Sequence, residues 1–302
     1  MWYQAGVTDR LARAMASLLG TAVADALGDT IEHSADRHSP ADHTGTEGLP
    51  APPWRWTDDT EMACSVVHVL AVHGRLDVDA LSESFVAHYD EQRNYGPGVD
   101  AMIREVGRRG ASLGNLATET FGGAGSWGNG AAMRIAPLGA WYYDDPDQAA
   151  IDAEASAAIT HTHREGIAGA VATAVAAAQA AAGATPADMI DAVLRRTPAG
   201  TVHDGLRDAA NLADASPTEA AEKLGTGRKL SAADTVPLAL WVAATHLDDY
   251  ERAVRTAASV AEDVDTVCAI AGGIIAGRIG ESAIPAEWRA ASEPLPDWVL
   301  PT

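Results

Sequence analysis

The run from Ile167 to Ala182 is built almost entirely of Ala, Val, Ile and Gly, broken only by Thr173 and Gln179. It constrains the fold more than any other segment. Side chains this small bury little area each, so such a helix belongs where neighbours pack closely around it. The run predicts a central buried helix with other helices against it. The longer uncharged stretch around it, Gly166 to Ala187, is interrupted by Thr, Gln, Gly and Pro and is too weakly apolar for a membrane span. The rest of the chain agrees. Leu11, Met15, Leu18, Leu19 and Ala22 recur at three- and four-residue spacing, with Thr8 or Asp9 placed to cap the start. Met62, Val66, Val69 and Leu70 do the same over Thr60 to His73, and the pattern returns over Pro237 to Thr245, Tyr250 to Ala261 and Thr266 to Gly280. Pro237 suits a first helical turn. No sustained alternation of β-branched and polar residues is present, so strands are absent or minor. The expectation is an all-α, compact multi-helix fold forming one domain over 1–302.

The irregular segments interrupt this pattern at particular places. His33 to Pro53 reads as a long loop, Asn94-Tyr95-Gly96-Pro97-Gly98 as a turn, and Phe121 to Gly130 holds five glycines. Long loops in a helical domain are often functional. Net charge narrows what they could bind. At −21 for 302 residues, most of the surface would repel a polyanion, which argues against nucleic acid as a partner. The two cysteines, Cys64 and Cys268, form no disulfide framework or zinc knuckle and read as small buried apolar groups. No basic segment followed by an apolar one opens the chain. A cytoplasmic protein without a membrane partner is expected; oligomeric state is left open.

Two acidic clusters carry the chemistry. The first is Trp56-Thr57-Asp58-Asp59-Thr60-Glu61 and the second Glu262-Asp263-Val264-Asp265-Thr266, each leading into an apolar helix. Adjacent carboxylates repel, and a hard cation with oxygen ligands removes that cost. Consecutive residues on a helix point about 100° apart, so convergence from a loop just before each helix is expected. Each cluster alone also reads as an acidic helix cap. As a pair they offer four carboxylates and two hydroxyls, enough for two metals that share ligands and activate a water. On the residues alone, both readings stand.

Three further elements accompany them. Gly125-Ser126-Trp127-Gly128-Asn129-Gly130 could hold phosphate oxygens with backbone N–H groups, or be a surface turn. It is neither a P-loop nor a dinucleotide fingerprint. Thr160-His161-Thr162-His163 lacks a third soft ligand, so zinc is a poor fit. Asp25-Ala26-Leu27-Gly28 reads as a helix end at Gly28, after which Glu32 would open the long loop.

These elements, in this order, resemble the ADP-ribosylglycohydrolase family, which includes dinitrogenase-reductase-activating glycohydrolase and the ADP-ribosyl-acceptor hydrolases. The likeness runs from Leu18 to about Trp288: Asp25-Ala26-Leu27-Gly28 and Glu32, Thr57 to Thr60, Gly128 to Arg134, Thr160-His161, Asp263 to Thr266, and Ile284-Pro285-Ala286-Glu287-Trp288. Ala24, and Ala261-Glu262, stand where many relatives have glycine. Trp127 stands at a position that varies.

The resemblance implies a binuclear Mg²⁺ or Mn²⁺ site held by Thr57, Asp58, Asp59, Asp263, Asp265 and Thr266. It implies that Gly125, Ser126, Gly128 and Asn129 hold the diphosphate and adjoining ribose, that Phe121 stacks near the adenosine, and that His161 contacts the distal ribose or diphosphate. Glu32 would sit on a flap over the cleft and, with Asp58, Asp59 and Asp263, supply the catalytic carboxylates. The implied activity is hydrolysis of the bond between ADP-ribose and an acceptor, first an arginine on ADP-ribosylated protein. O-linked ADP-ribose, on serine or a small metabolite, and a non-catalytic ADP-ribose-binding or structural relative are the alternatives.

Overall fold

The computed structural model describes residues 2–34 and 49–301, with side chains from Thr8 onwards. It is all-α. Fifteen α-helices and three short 3-10 turns follow one another, and pairing between strands is limited to two isolated bridges among the described residues. The alanine-rich segment forms a helix over Arg164–Ala181, with Ala168 to Ala178 buried throughout. Both cysteines are free and buried, as expected. Most of the loop expected over His33 to Pro53 lies outside the described residues.

The longest helix, Trp2–Glu32, lies along the helix Val264–Ile279. The two come unusually close because their facing residues are small. A Cβ on Gly20 would lie 2.2 Å from the Ala276 Cβ, and one on Gly28 would lie 2.6 Å from the Asp265 Cα. Gly20, Ala24 and Gly28 recur every four residues and therefore share one face. Tyr250 locks the crossing by donating its buried hydroxyl proton to the Gly20 carbonyl at 2.7 Å. By length and composition, Thr8–Glu32 is apolar enough to cross a membrane, yet 72% of its apolar window is buried against the other helices. The closing Trp288 is likewise buried, edge-on to Trp54 at 6.3 Å and to Tyr250 at 6.2 Å.

Five boundaries differ from the sequence expectation. The first helix begins at Trp2, ahead of Thr8 and Asp9, and does not end at Gly28. That glycine serves close packing and not a helix cap, and Glu32 is the last residue of the helix, the loop after it lying mostly outside the described residues. Asp58 and Asp59 are the first two residues of the helix Asp58–His73, with Thr57 as its N-cap. The second cluster is likewise drawn into a helix, with Asp263 as the N-cap of Val264–Ile279. Pro237 lies inside the helix Ala232–Thr245, beyond its first turn. It costs one backbone hydrogen bond there, and its ring packs where a Cβ on Gly205 would stand, 2.6 Å away.

Candidate metal centre and cleft

A cleft of about 410 Å³ opens where the two acidic clusters meet. Asp58 and Asp59 enter it from one side, and Asp263, Asp265 and Thr266 from another. Its remaining wall includes Phe121, Ser126, Gly128, Asn129 and His161. Ten of the residues singled out from the sequence therefore share one cavity, although more than 200 positions separate the first from the last.

The first cluster is shaped by a residue to which sequence reasoning gave no role. Asp25 is fully buried on the N-terminal helix. It accepts from the Thr57 N–H at 2.9 Å and hydroxyl at 2.9 Å, and from the Thr60 N–H at 3.2 Å and hydroxyl at 2.5 Å. The two threonines thus clamp the start of the helix onto Asp25 and leave the aspartates between them to face the cleft. Thr57 itself sits behind them. Its oxygen also accepts from the Asp59 N–H at 3.3 Å. Glu61, one helical step on, points elsewhere: it accepts from the Tyr95 hydroxyl at 2.7 Å and the Asp90 N–H at 3.0 Å, tethering the neighbouring loop. Position in the motif Asp-Ala-x-Gly was the only sequence signal for Asp25.

The second cluster is held by Glu32 and Asn129. Glu32 accepts from the Val264 N–H at 2.8 Å, capping the helix start. Asn129 donates through its side-chain amide to Asp263 at 2.5 Å and to the Thr235 hydroxyl at 3.0 Å. The glycine-rich loop is thereby fastened to the acidic site, and Ser126 to Gly130 line the cleft. Ligand atoms of Glu32, Asp263 and Asp265 lie within 4.8 Å of one another.

Electrostatics at this centre are strained. Burial pushes Asp25 up to about 7, and the Asp265 charge adds to it. Burial and Asp265 raise Asp263 to about 8, and burial and Glu32 raise Asp265 to about 6. Asp58 and Asp59 are driven well above the usual carboxylate range, first by burial and then by their acidic neighbours. One oxygen of Asp59, Oδ2, is buried with no hydrogen-bond donor among the described residues. A buried oxygen without a donor, among carboxylates that repel, is a donor set suited to a hard divalent cation. The residues fit the group the motifs imply.

A pH dependence follows for the metal-free protein. Each raised carboxyl holds its proton in the folded state at a pH where the unfolded chain, near 3.8, has lost it. Its stabilising contribution is complete below 3.8 and is lost as pH climbs through the folded value. Thermal unfolding after EDTA treatment should therefore show Tm falling from about pH 4 to about pH 8. Added Mg²⁺ or Mn²⁺ should flatten the decline, because cations bind the deprotonated form. A flat or rising Tm without metal would contradict this account.

The cleft wall is organised around His161. Its ring is buried and neutral, pushed down to about 3 by burial and by the nearby Arg134 charge. Gly128 and Gly130 lie directly against it: a Cβ on Gly128 would stand 3.2 Å from Nε2, and one on Gly130 2.9 Å from Cε1. The Gly-Asn-Gly spacing thus admits the imidazole on both sides of Asn129. Ser126 accepts from the Gly128 N–H at 3.2 Å. Gly125 does not line the cleft; its φ of +77° and its contact with Thr162 and His163 make it the tight turn before Ser126. Phe121 is 60% exposed at φ +49° and tilts against the Trp127 ring, with centroids 4.6 Å apart. A large side chain in the left-handed region is uncommon and costs free energy. Here it holds an aromatic face at the cleft rim.

Comparison with known proteins agrees with the motif reading. A family model described as ADP-ribosylglycohydrolase matches residues 7–301. An uncharacterized protein of Archaeoglobus fulgidus is 31% identical, covering 90% of this chain and 88% of its own length. The ADP-ribosylarginine hydrolase Tri1 of Pseudomonas putida is 26% identical over 92% of this chain and 73% of its own. ADP-ribosylhydrolase ARH3 of Homo sapiens is 25% identical over 79% and 74%. A solved structure titled ADP-ribosylglycohydrolase-related protein complex superposes with a TM-score of 0.69 at 25% identity, covering 95% of this chain and 94% of that one.

Proposed function

Because this chain belongs to the ADP-ribosylglycohydrolase family and is a glycohydrolase, we propose that its cleft hydrolyses the bond between ADP-ribose and an arginine side chain of a modified protein. The observation that carries this reading is the meeting of the two acidic clusters with the Gly128–Gly130 loop and His161 in one cavity. An acidic floor suits a ribose whose anomeric carbon gains positive charge as the acceptor leaves. A wall of small loop residues, a serine hydroxyl and one neutral imidazole suits a diphosphate. The arginine linkage is supported by the name of the Tri1 relatives, ADP-ribosylarginine hydrolase, which match over nine-tenths of the chain.

Asp58, Asp59, Asp263, Asp265, Thr266 and, from behind, Thr57 would hold two divalent ions, Mg²⁺ or Mn²⁺. Bound there, such ions supply an acidified water and positive charge for the ribose hydroxyls. The chain's own residues do the rest. Asp58, Asp59 and Asp263 orient the water and take its proton as its oxygen bonds to the anomeric carbon. The glycosidic bond breaks, and its electron pair and a proton go to the leaving nitrogen. Glu32, placed beside Asp263 and Asp265, is the group we assign to relay that proton. Phe121 offers its exposed ring to the adenine. Ser126, the Gly128 backbone and Asn129 line the path of the diphosphate.

The test is release of ADP-ribose from a panel of defined linkages on arginine, serine and small alcohols, with added Mg²⁺ or Mn²⁺ and after EDTA. Metal-dependent release from arginine is expected. Release only from O-linked substrates would move the acceptor to serine or a metabolite. Tight binding of ADP-ribose with no turnover of any linkage in the presence of metal would make this a binding relative.

A further inference from the structure

Beneath the cleft wall lies a buried guanidinium that the proposed reaction does not use. Arg134 is completely buried beside His161. Its Nη2 donates to the Ser156 carbonyl at 3.0 Å and to the Thr160 hydroxyl oxygen at 3.0 Å. Its Nη1 donates to the Met62 sulfur at 3.5 Å, and the guanidinium lies 4.6 Å over the Phe85 ring. The Thr160 oxygen is 2.8 Å from Nδ1 of His161. Thr160 is also fully buried.

These contacts decide where the imidazole proton sits. A guanidinium only donates, so Thr160 accepts from Arg134. The Thr160 hydroxyl has one proton of its own, and among the described residues Nδ1 of His161 is the one acceptor within reach. If Nδ1 carried the imidazole proton, the threonine O–H would be a buried donor with no acceptor, an arrangement that folded proteins avoid. The pattern that satisfies every group sends the threonine proton to Nδ1 and puts the imidazole proton on Nε2. That nitrogen faces Gly128 and Gly130 and the cleft.

We propose that Arg134 and Thr160 are positioning residues that hold His161 as its Nε2–H tautomer, so that His161 donates a hydrogen bond to a diphosphate or ribose oxygen of the bound ADP-ribosyl group. The ligand in this statement rests on the functional reading above; the tautomer does not. Because a neutral imidazole locked in one tautomer donates at Nε2 and cannot accept there, the cleft wall selects an oxygen acceptor at that point. It also removes His161 from proton transfer to the leaving group.

The experiment uses the full chain labelled with ¹⁵N-histidine, with the His161 signals assigned by their loss in His161→Gln. Long-range ¹H–¹⁵N spectra report directly which ring nitrogen is protonated. A protonated Nε2 and an imine-type Nδ1 are expected in the wild type and in Thr160→Ser. In Thr160→Val, which keeps the shape and removes the proton, both nitrogens should move towards averaged values. ADP-ribose binding should weaken by roughly 10-fold in Thr160→Val, the loss of about one neutral hydrogen bond, and recover in Thr160→Ser. Metal affinity should be unchanged in both. Protonation at Nδ1 in the wild type would overturn the proposal, as would a Thr160→Val protein that keeps the wild-type spectrum. If the spectra follow expectation and ADP-ribose binds no form of the protein, the ligand assignment falls with the functional reading while the tautomer assignment stands.

Discussion

Replacing Asp58 with Asn is expected to abolish metal-dependent turnover and, at the same time, to raise the melting temperature of the metal-free protein. The two effects have one cause. Asp58 is buried beside Asp25 and Asp265, and both its burial and their charges oppose its ionisation. Without a cation, folding forces this carboxyl together with like groups, and the unfolded chain is free of that cost. An amide of nearly the same shape removes the charge and keeps the packing. With a cation the sign reverses. The site loses one of its four central carboxylates, and turnover should fall by roughly 10³-fold or more, as for loss of a principal electrostatic contact in a transition state. Calorimetry of wild type and Asp58→Asn at pH 8, with EDTA and with Mn²⁺, would show the curves crossing. A variant less stable than wild type under both conditions would mean that Asp58 is a structural cap and not a ligand.

Asp25→Ala should behave in the opposite way without metal. Asp25 also sits among acids, but it accepts four hydrogen bonds from Thr57 and Thr60. Its removal leaves four buried donors at the start of the Asp58 helix without their acceptor. Each uncompensated donor costs about 1–3 kcal/mol, and water entering the space would recover part of this. A net loss of roughly 3 kcal/mol is expected, lowering Tm by several degrees in a chain of this size. Metal binding should weaken as well, because Asp58 and Asp59 lose the clamp that aims them. A variant with unchanged Tm would show that the threonines are held by something other than Asp25. Comparing the two aspartates in one experiment separates a residue that serves the ion from one that serves the frame.

Much of this could be read from the chain. Three- and four-residue spacing gave the helices, and the alanine-rich run is buried, as its small side chains led one to expect. The paired Asp/Thr clusters pointed to one centre, and the cleft indeed gathers both. What spacing could not give was direction. Convergence was expected from loops, because neighbouring helical residues diverge. Yet Asp58 and Asp59 stand in the first turn of a helix, and the divergence is used: Asp58 and Asp59 serve the cleft, while Glu61 turns away to hold Tyr95 and the Asp90 backbone. Gly28 looked like a helix stop because glycine is most often chosen for its backbone freedom. Here it was chosen for its missing side chain, against a partner 237 positions away. Glu32 followed from that misplacement: expected to open the long loop, it ends the helix and caps the start of the helix Val264–Ile279. Asp25 and Arg134 were visible as letters of a motif, but their work lies in hydrogen bonds to distant segments, which no local pattern records.

The N-terminal helix carries Asp25, which clamps one acidic cluster, and, two turns further on, Glu32, which caps the other. During synthesis this helix is made well before the segment bearing Asp263 and Asp265, which lies more than 230 positions further along the chain. Until then the face of Gly20, Ala24 and Gly28 lacks the helix Val264–Ile279 that packs on it. The acidic centre is therefore the product of long-range docking between segments made far apart in time, the kind of non-local contact that slows folding. A chain interrupted before Val264 would lack Asp265, Thr266 and the helix that packs on Gly20 and Gly28, so the centre cannot assemble until that segment has been made.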